Sequence, residues 1–280
     1  MSSENANKSR FEKLKQKACS RVPLVREVLA DLDTPLSTYL KLANTPYSYL
    51  FESVQGGEKW GRYSIIGLPC RKIVKVNNRQ ISIEEDGSVI SDEHVADPLQ
   101  WITEFQEQYV QDDFDDLPRF TGGLVGYFGY ETIRYIEPRL DHEDKTDPLG
   151  TPDILLMVSE EVVVFDNLAG KLYIIVHVDP QQDEALSKGE QRLQQLADDL
   201  RKPVPDAPEH EASQVDEADF VSGFTEEGYK SAVAKAKQYI VDGDIMQVVL
   251  SQRLTVPFNA RPLELYRALR SLNPSPYMYY

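Results

Sequence analysis

Glu161-Val162-Val163-Val164-Phe165, then Asp166-Asn167-Leu168-Ala169-Gly170, then Lys171-Leu172-Tyr173-Ile174-Ile175-Val176-His177-Val178 is the stretch that decides the fold class. Two runs rich in β-branched residues flank a segment of turn chemistry, which is the pattern of an antiparallel hairpin. A second hairpin lies upstream. Arg71-Lys72-Ile73-Val74-Lys75-Val76 and Gln80-Ile81-Ser82-Ile83 are joined through Asn77-Asn78, and asparagine tolerates the positive φ of a tight turn. Antiparallel sheet is therefore the dominant theme, and helices belong at its margins. Pro98 to Val110 opens with the proline that suits a first helical turn, and Asp183 to Leu200 spaces Leu186, Leu193, Leu196 and Leu200 among charged residues. Residues 1 to about 20 read as a short amphipathic helix on Phe11, Leu14 and Ala18.

Composition bounds the function. The chain has 280 residues, 41% of them hydrophobic, enough for one large or two ordinary domains. Its formal charge of −16 argues against nucleic acid, whose phosphates require clustered Lys and Arg. Much of the acid lies in Gln111-Asp112-Asp113-Phe114-Asp115-Asp116 and between Asp183 and Asp219, read as solvated loops and a helix face. No apolar run reaches the ~20 residues that cross a bilayer, and the basic amino terminus has no apolar stretch behind it, so no membrane role and a cytoplasmic location are expected. Cys19 and Cys70 are too few for a disulfide framework or a thiolate zinc site.

Local chemistry is sparse. Gly122-Gly123-Leu124-Val125-Gly126-Tyr127-Phe128-Gly129-Tyr130 lacks the G-x-G-x-x-G spacing and the βαβ surroundings of a nucleotide loop, and reads instead as a strand whose glycines admit close backbone approach. His94, His142, His177 and His210 are scattered without ligand spacing, so neither catalytic nor metal residues are assigned. Glu160-Glu161 read as solvent-facing strand ends. Residues 203–220, rich in proline and acid, form the expected linker between a first domain over 1–202 and a second beginning at 221. There Thr225 starts a helix running to about Val241, and Ile245 to Leu254 reads as a long strand with Gln247, Ser251 and Arg253 on one face. A polar cavity and a solvated edge explain that alternation equally well.

Two distant segments carry chemistry suited to a small amphiphilic ligand. Tyr49-Leu50-Phe51-Glu52-Ser53 ends a strand in a polar pair, with Gly61-Arg62-Tyr63-Ser64-Ile65-Ile66-Gly67 just after it. Asn273-Pro274-Ser275-Pro276-Tyr277-Met278-Tyr279-Tyr280 is a rigid, aromatic-flanked turn that presents carbonyls beside apolar faces. Ordinary core aromatics around a proline turn would give either segment alone.

Taken in order, Leu50 to Ser53, Gly61 to Gly67, the run ending Gly129-Tyr130-Glu131, Gly243 to Arg253 and Asn273 to Met278 resemble the large component of anthranilate synthase, from about residue 23 to residue 280. Phe51 stands where that family commonly has a second leucine. The resemblance implies an α+β fold of packed antiparallel sheets flanked by helices, with an incomplete carboxyl-terminal part. It implies a lyase that converts chorismate, with Mg2+ and ammonia from a glutamine amidotransferase subunit, to anthranilate and pyruvate in the first step of tryptophan synthesis. It also implies feedback inhibition by L-tryptophan held by Ser53, Pro276, Tyr277 and Met278, with Glu52 as a neighbour. The residue chemistry agrees in kind: a hydroxyl and carbonyls for a zwitterion, a tyrosine and a thioether for an indole. Because the two segments flank the linker, such a ligand could favour one of two domain arrangements. The family's magnesium carboxylates and catalytic histidine lie beyond Met278, so these 280 residues are expected to comprise the regulatory region and the start of the chorismate domain, without turnover. The rival readings are aminodeoxychorismate synthase component I, which tends to carry asparagine and threonine where Val248 to Arg253 stand, and a noncatalytic tryptophan-binding module.

Overall fold

The computed structural model describes residues 3–17, 19–53, 61–109, 114, 116–140, 147, 149–206 and 214–280. Its chain divides into two compact units, Met1–Asp206 with Arg270–Tyr280, and Ala207–Leu269. In chain order the elements are α1 (Ser3–Gln16), β1 (Val22–Leu29), α2 (Pro35–Leu42), β2 (Tyr49–Glu52), β3 (Tyr63–Gly67), β4 (Lys72–Asn77), β5 (Gln80–Glu85), β6 (Ser88–His94), α3 (Pro98–Glu107), β7 (Gly123–Phe128), α4 (Ile133–Ile136), β8 (Ile154–Ser159), β9 (Glu161–Asp166), β10 (Lys171–Val178), α5 (Ala185–Leu200), β11 (Val221–Ser222), α6 (Glu226–Asp242), β12 (Leu254–Thr255), α7 (Pro262–Leu272) and β13 (Met278–Tyr279).

In the first unit every strand pairing is antiparallel, in a six-stranded sheet of order β1-β10-β9-β3-β2-β13 and a five-stranded sheet of order β6-β5-β4-β8-β7. The β9–β10 hairpin pairs Asp166 with Lys171 and Val163 with Ile174, and Gly170 supplies the positive φ (63°) that closes its turn. The β4–β5 hairpin closes through Asn78, at φ 53°. One face of each sheet packs on the other: Val25, Tyr49, Val162, Val164 and Ile175 of the first meet Ile73, Val125 and Met157 of the second. The period of two along each strand sends the alternate residues outward. Val74, Val76, Ile154 and Leu156 thus meet Ile102 and Phe105 of α3. On the outer face of the six-stranded sheet, α5 lies so near that a β-carbon at Gly189 would sit 2.4 Å from Leu24 Cδ1. This first unit is an α+β sandwich with helices outside.

At the free edge of β1, Asn7 of α1 is buried and its amide mimics a strand. Its Nδ2 donates to the Val25 carbonyl (3.1 Å), and its Oδ1 accepts from the Val25 N–H (2.8 Å). Phe11 and Leu14 are buried as their spacing predicts, whereas Ala18 lies outside the described residues. So do Val110, most of Gln111–Asp116, His142, His210 and the 207–213 part of the expected linker.

The second unit holds α6, the β11–β12 pair and most of α7. Thr225 Oγ1 caps α6 by accepting from the Gly228 N–H at 3.0 Å, and Gly243 ends it at φ 83°. The long strand expected over Ile245–Leu254 is absent: only Leu254 and Thr255 pair, with Ser222 and Val221. A strand exists by its ladder, and no described strand lies beside 245–253 to supply one. Gln247, Ser251 and Arg253 therefore share no strand face, and Met246 and Val249 are 97% and 82% exposed. Residues 221–280, read from sequence as one block, fall on both sides of the division, because β13 joins the six-stranded sheet.

Candidate ligand-binding site

The Asn-Pro-Ser-Pro turn carries the chain back against β2. Two prolines fix φ and remove donors, so the segment cannot continue α7 and runs extended into β13. β13 then pairs Met278 with Glu52 and Tyr279 with Phe51. Reciprocal bonds between Leu50 and Tyr280 (2.9 and 3.0 Å) continue the ladder. Just past β2, Ser53 Oγ donates to the Pro276 carbonyl at 3.1 Å. Ser53, Pro276 and Met278, remote in sequence, are thus brought to one strand edge, with Met278 half-buried. Tyr277 lies in the same turn but is 67% exposed. On the outer side, the Tyr280 ring meets Tyr39 of α2 edge-on at 5.7 Å.

Sequence reasoning placed Glu52 near this edge but missed its partner. The Glu52 side chain is only 2% exposed, and Arg270 in the last turn of α7 donates from Nη2 to Oε1 at 3.0 Å. Arg270 Nε is buried with no partner. The available signal was a basic residue closing an amphipathic helix just before the proline turn.

The other segment singled out from sequence turns out to be scaffolding. Arg62 forks onto Asp166 at the end of β9, with Nε 3.0 Å and Nη2 2.6 Å from Oδ2, and its guanidinium lies 4.8 Å from the Tyr63 ring centre. Burial would raise the Asp166 carboxyl, but the Arg62 guanidinium and the Ala169 N–H hold it below the usual range. Gly67 pairs with Tyr49, and a β-carbon there would fall 1.9 Å from a Tyr49 ring atom. The absent side chain lets the ring lie flat across β3 and its phenol reach Ser159 Oγ at 2.8 Å. Gly126 likewise leaves room for the Leu155 carbonyl, as its reading as a close-approach glycine requires.

A cleft of about 220 Å³ elsewhere in the first unit is lined by Arg21, Tyr109, Gly122, Ser159, Glu160 and His177. Glu160 and Glu161 stand at strand ends with partly exposed side chains, ion-paired at 2.7 Å to Arg21 and to Arg192 of α5. His177 Nδ1–H donates to the Glu160 carbonyl, while Nε2 is buried without a partner. Desolvation pushes this imidazole down to about 4. Among the described residues there is no group of three or more His, Cys, Asp or Glu that could hold a metal ion. No helix among them is long and apolar enough to cross a membrane.

The family of chorismate binding enzymes matches residues 48–280. Over 276 residues the chain is 52% identical to anthranilate synthase component 1 of Pseudomonas putida and 53% identical to that of Pseudomonas aeruginosa, in each case with 98% of this chain and 56% of the relative aligned. The crystal structure of anthranilate synthase component I from Streptococcus pneumoniae superposes with a TM-score of 0.60 at 27% identity, over 89% of this chain and 53% of that one. The chain spans about half the length of the relatives it matches. With five-sixths of its residues inside the family match and the sandwich shared with a solved relative, this chain belongs to the chorismate-binding enzyme family.

Proposed function

We propose that this chain is the tryptophan-sensing part of the large subunit of an anthranilate synthase. In the whole protein, chorismate and ammonia from a glutamine amidotransferase subunit would yield anthranilate and pyruvate in the cytoplasm, with Mg2+ held by residues beyond Tyr280. The observation that carries the reading is the meeting of Ser53 with Pro276 beside the β2–β13 ladder. A hydroxyl, a carbonyl and a buried carboxylate lie within one strand edge, together with a thioether that suits an aromatic ring. L-Tryptophan bound there would act on catalysis by holding one arrangement of the chain, which is feedback inhibition. The Val248 to Arg253 segment favours this over aminodeoxychorismate synthase.

Calorimetric titration with L-tryptophan tests the site. Saturable one-to-one binding is expected, and Ser53→Phe, which puts a ring where the hydroxyl meets Pro276, should weaken it at least about tenfold. Unchanged affinity in the variant removes Ser53 from the site. The 280 residues alone should bind without turnover, so anthranilate fluorescence appearing from chorismate, ammonia and Mg2+ would overturn that part.

A further inference from the structure

The outer edge of β1 is closed by a helix rather than by a strand. Asn7 takes both the N–H and the carbonyl of Val25, so by the alternation of an antiparallel ladder Pro23, Val25 and Glu27 turn their backbone groups away from β10. Pro23 has no N–H to leave bare, and its carbonyl accepts from Arg10 Nη1 at 3.4 Å. Phe11 and Leu14, both buried, seat the rest of α1. Edges are covered in this way because an open one is a template for another strand. The cover is removable. α1 has 14 residues, a length at which an isolated helix in water is marginal, so it holds its form only while seated. Past Val25 the cover stops: among the described residues no partner takes the outward backbone groups of Glu27, and Leu29 beyond it is 71% exposed.

We propose that α1 and β1 of a second copy of this chain compete for this edge: with α1 seated the edge is closed, and with α1 released two copies join through β1 into one continuous antiparallel sheet. The second copy is the occupant because the edge complements itself. A two-fold axis at Val25 lets the two Val25 residues exchange both hydrogen bonds. It also sets Pro23 of each copy opposite Glu27 of the other, where the Pro23 carbonyl accepts from the Glu27 N–H. Glu27 then faces a proline and Arg26 faces Leu24, so no like charges stand opposite each other across the join. Asn7 supplies in the single chain the donor and acceptor that the other Val25 supplies in the pair, so the two states exclude each other. The join lies at the opposite edge of the six-stranded sheet from β13 and does not depend on the ligand site proposed above.

Sedimentation equilibrium of the 280-residue chain and its variants tests the competition. Leu14→Asp, which puts a charge at a wholly buried seat of α1, should raise the self-association constant at least about tenfold over the parent, the scale of the hydrogen bonds that Asn7 gives up. The Val25 and Glu27 amides, open to hydrogen exchange in the dilute variant, should become protected as the pairs form. Val25→Pro added to Leu14→Asp removes the outward N–H without touching the β10 ladder, and should return the chain to the parent's association. Asn7→Ala leaves Phe11 and Leu14 seated and should raise association less; it carries the test if Leu14→Asp does not fold. Association no higher than the parent's in Leu14→Asp, or in Asn7→Ala where that variant alone folds, overturns the competition. Association that survives Val25→Pro overturns it too, because the copies then meet through another surface.

Discussion

Gly67 shows how one missing atom organises a core. Tyr49 is 2% exposed and lies over Gly67, with its phenol on Ser159, so the ring has nowhere to go. Gly67→Ala should destabilise the protein by about 1–3 kcal/mol, read from urea denaturation, since the overlap is with a buried ring and not with a flexible chain end. A cost below about 0.5 kcal/mol would show that the ring yields. From sequence Gly67 was legible only as the end of a recognisable segment; its role depends on a register partner that no local pattern names. His177 permits a pH prediction. Burial lowers its folded pKa to about 4, below the ordinary 6.5, so the unfolded chain binds the proton first as pH falls. The contribution is complete above about pH 6.5, declines between 6.5 and 4, and is lost below. The slope of unfolding free energy against pH in that window should be smaller in His177→Asn, with up to about 3 kcal/mol recovered at pH 4. Equal slopes in the two proteins would show that the imidazole is protonated in the fold.

At the scale of elements, what is local was readable. The two hairpins follow from β-branched runs and turn residues a few positions apart, and α5 and α6 from apolar spacing and caps. The β2–β13 pairing and the place of β1 beside β10 join segments with no sequence continuity, and only the resemblance brought Ser53 and Pro276 together in advance. Ile245–Leu254 failed for the converse reason: its composition suits a strand, but a strand requires a neighbour. The edge of β1 carries a third prediction. Asn7→Ala leaves the Val25 N–H and carbonyl without the amide that both use, so stability should fall by about 2–4 kcal/mol. The Val25 amide should also lose hydrogen-exchange protection ahead of its neighbours on β10. Asn7→Asp, which keeps the acceptor and loses the donor, should fall between; protection unchanged in both would make Asn7 incidental.

The whole molecule is threaded as an excursion and a return: the first unit is left after Asp206, residues 207–269 build the second, and Arg270–Tyr280 come home to β2. This path has a consequence in time. On the ribosome, Glu52 and its strand emerge early, but their neighbour Met278 is translated only after everything between, which at ~5–20 residues per second leaves the outer rim of β2 bare for roughly ten to forty seconds. A nascent chain therefore carries an open hydrogen-bonding rim along β2 until the strand that holds Met278 and Tyr279 arrives. Synonymous codons that slow translation across 207–269 lengthen that interval, and chaperones that cover extended segments would guard it.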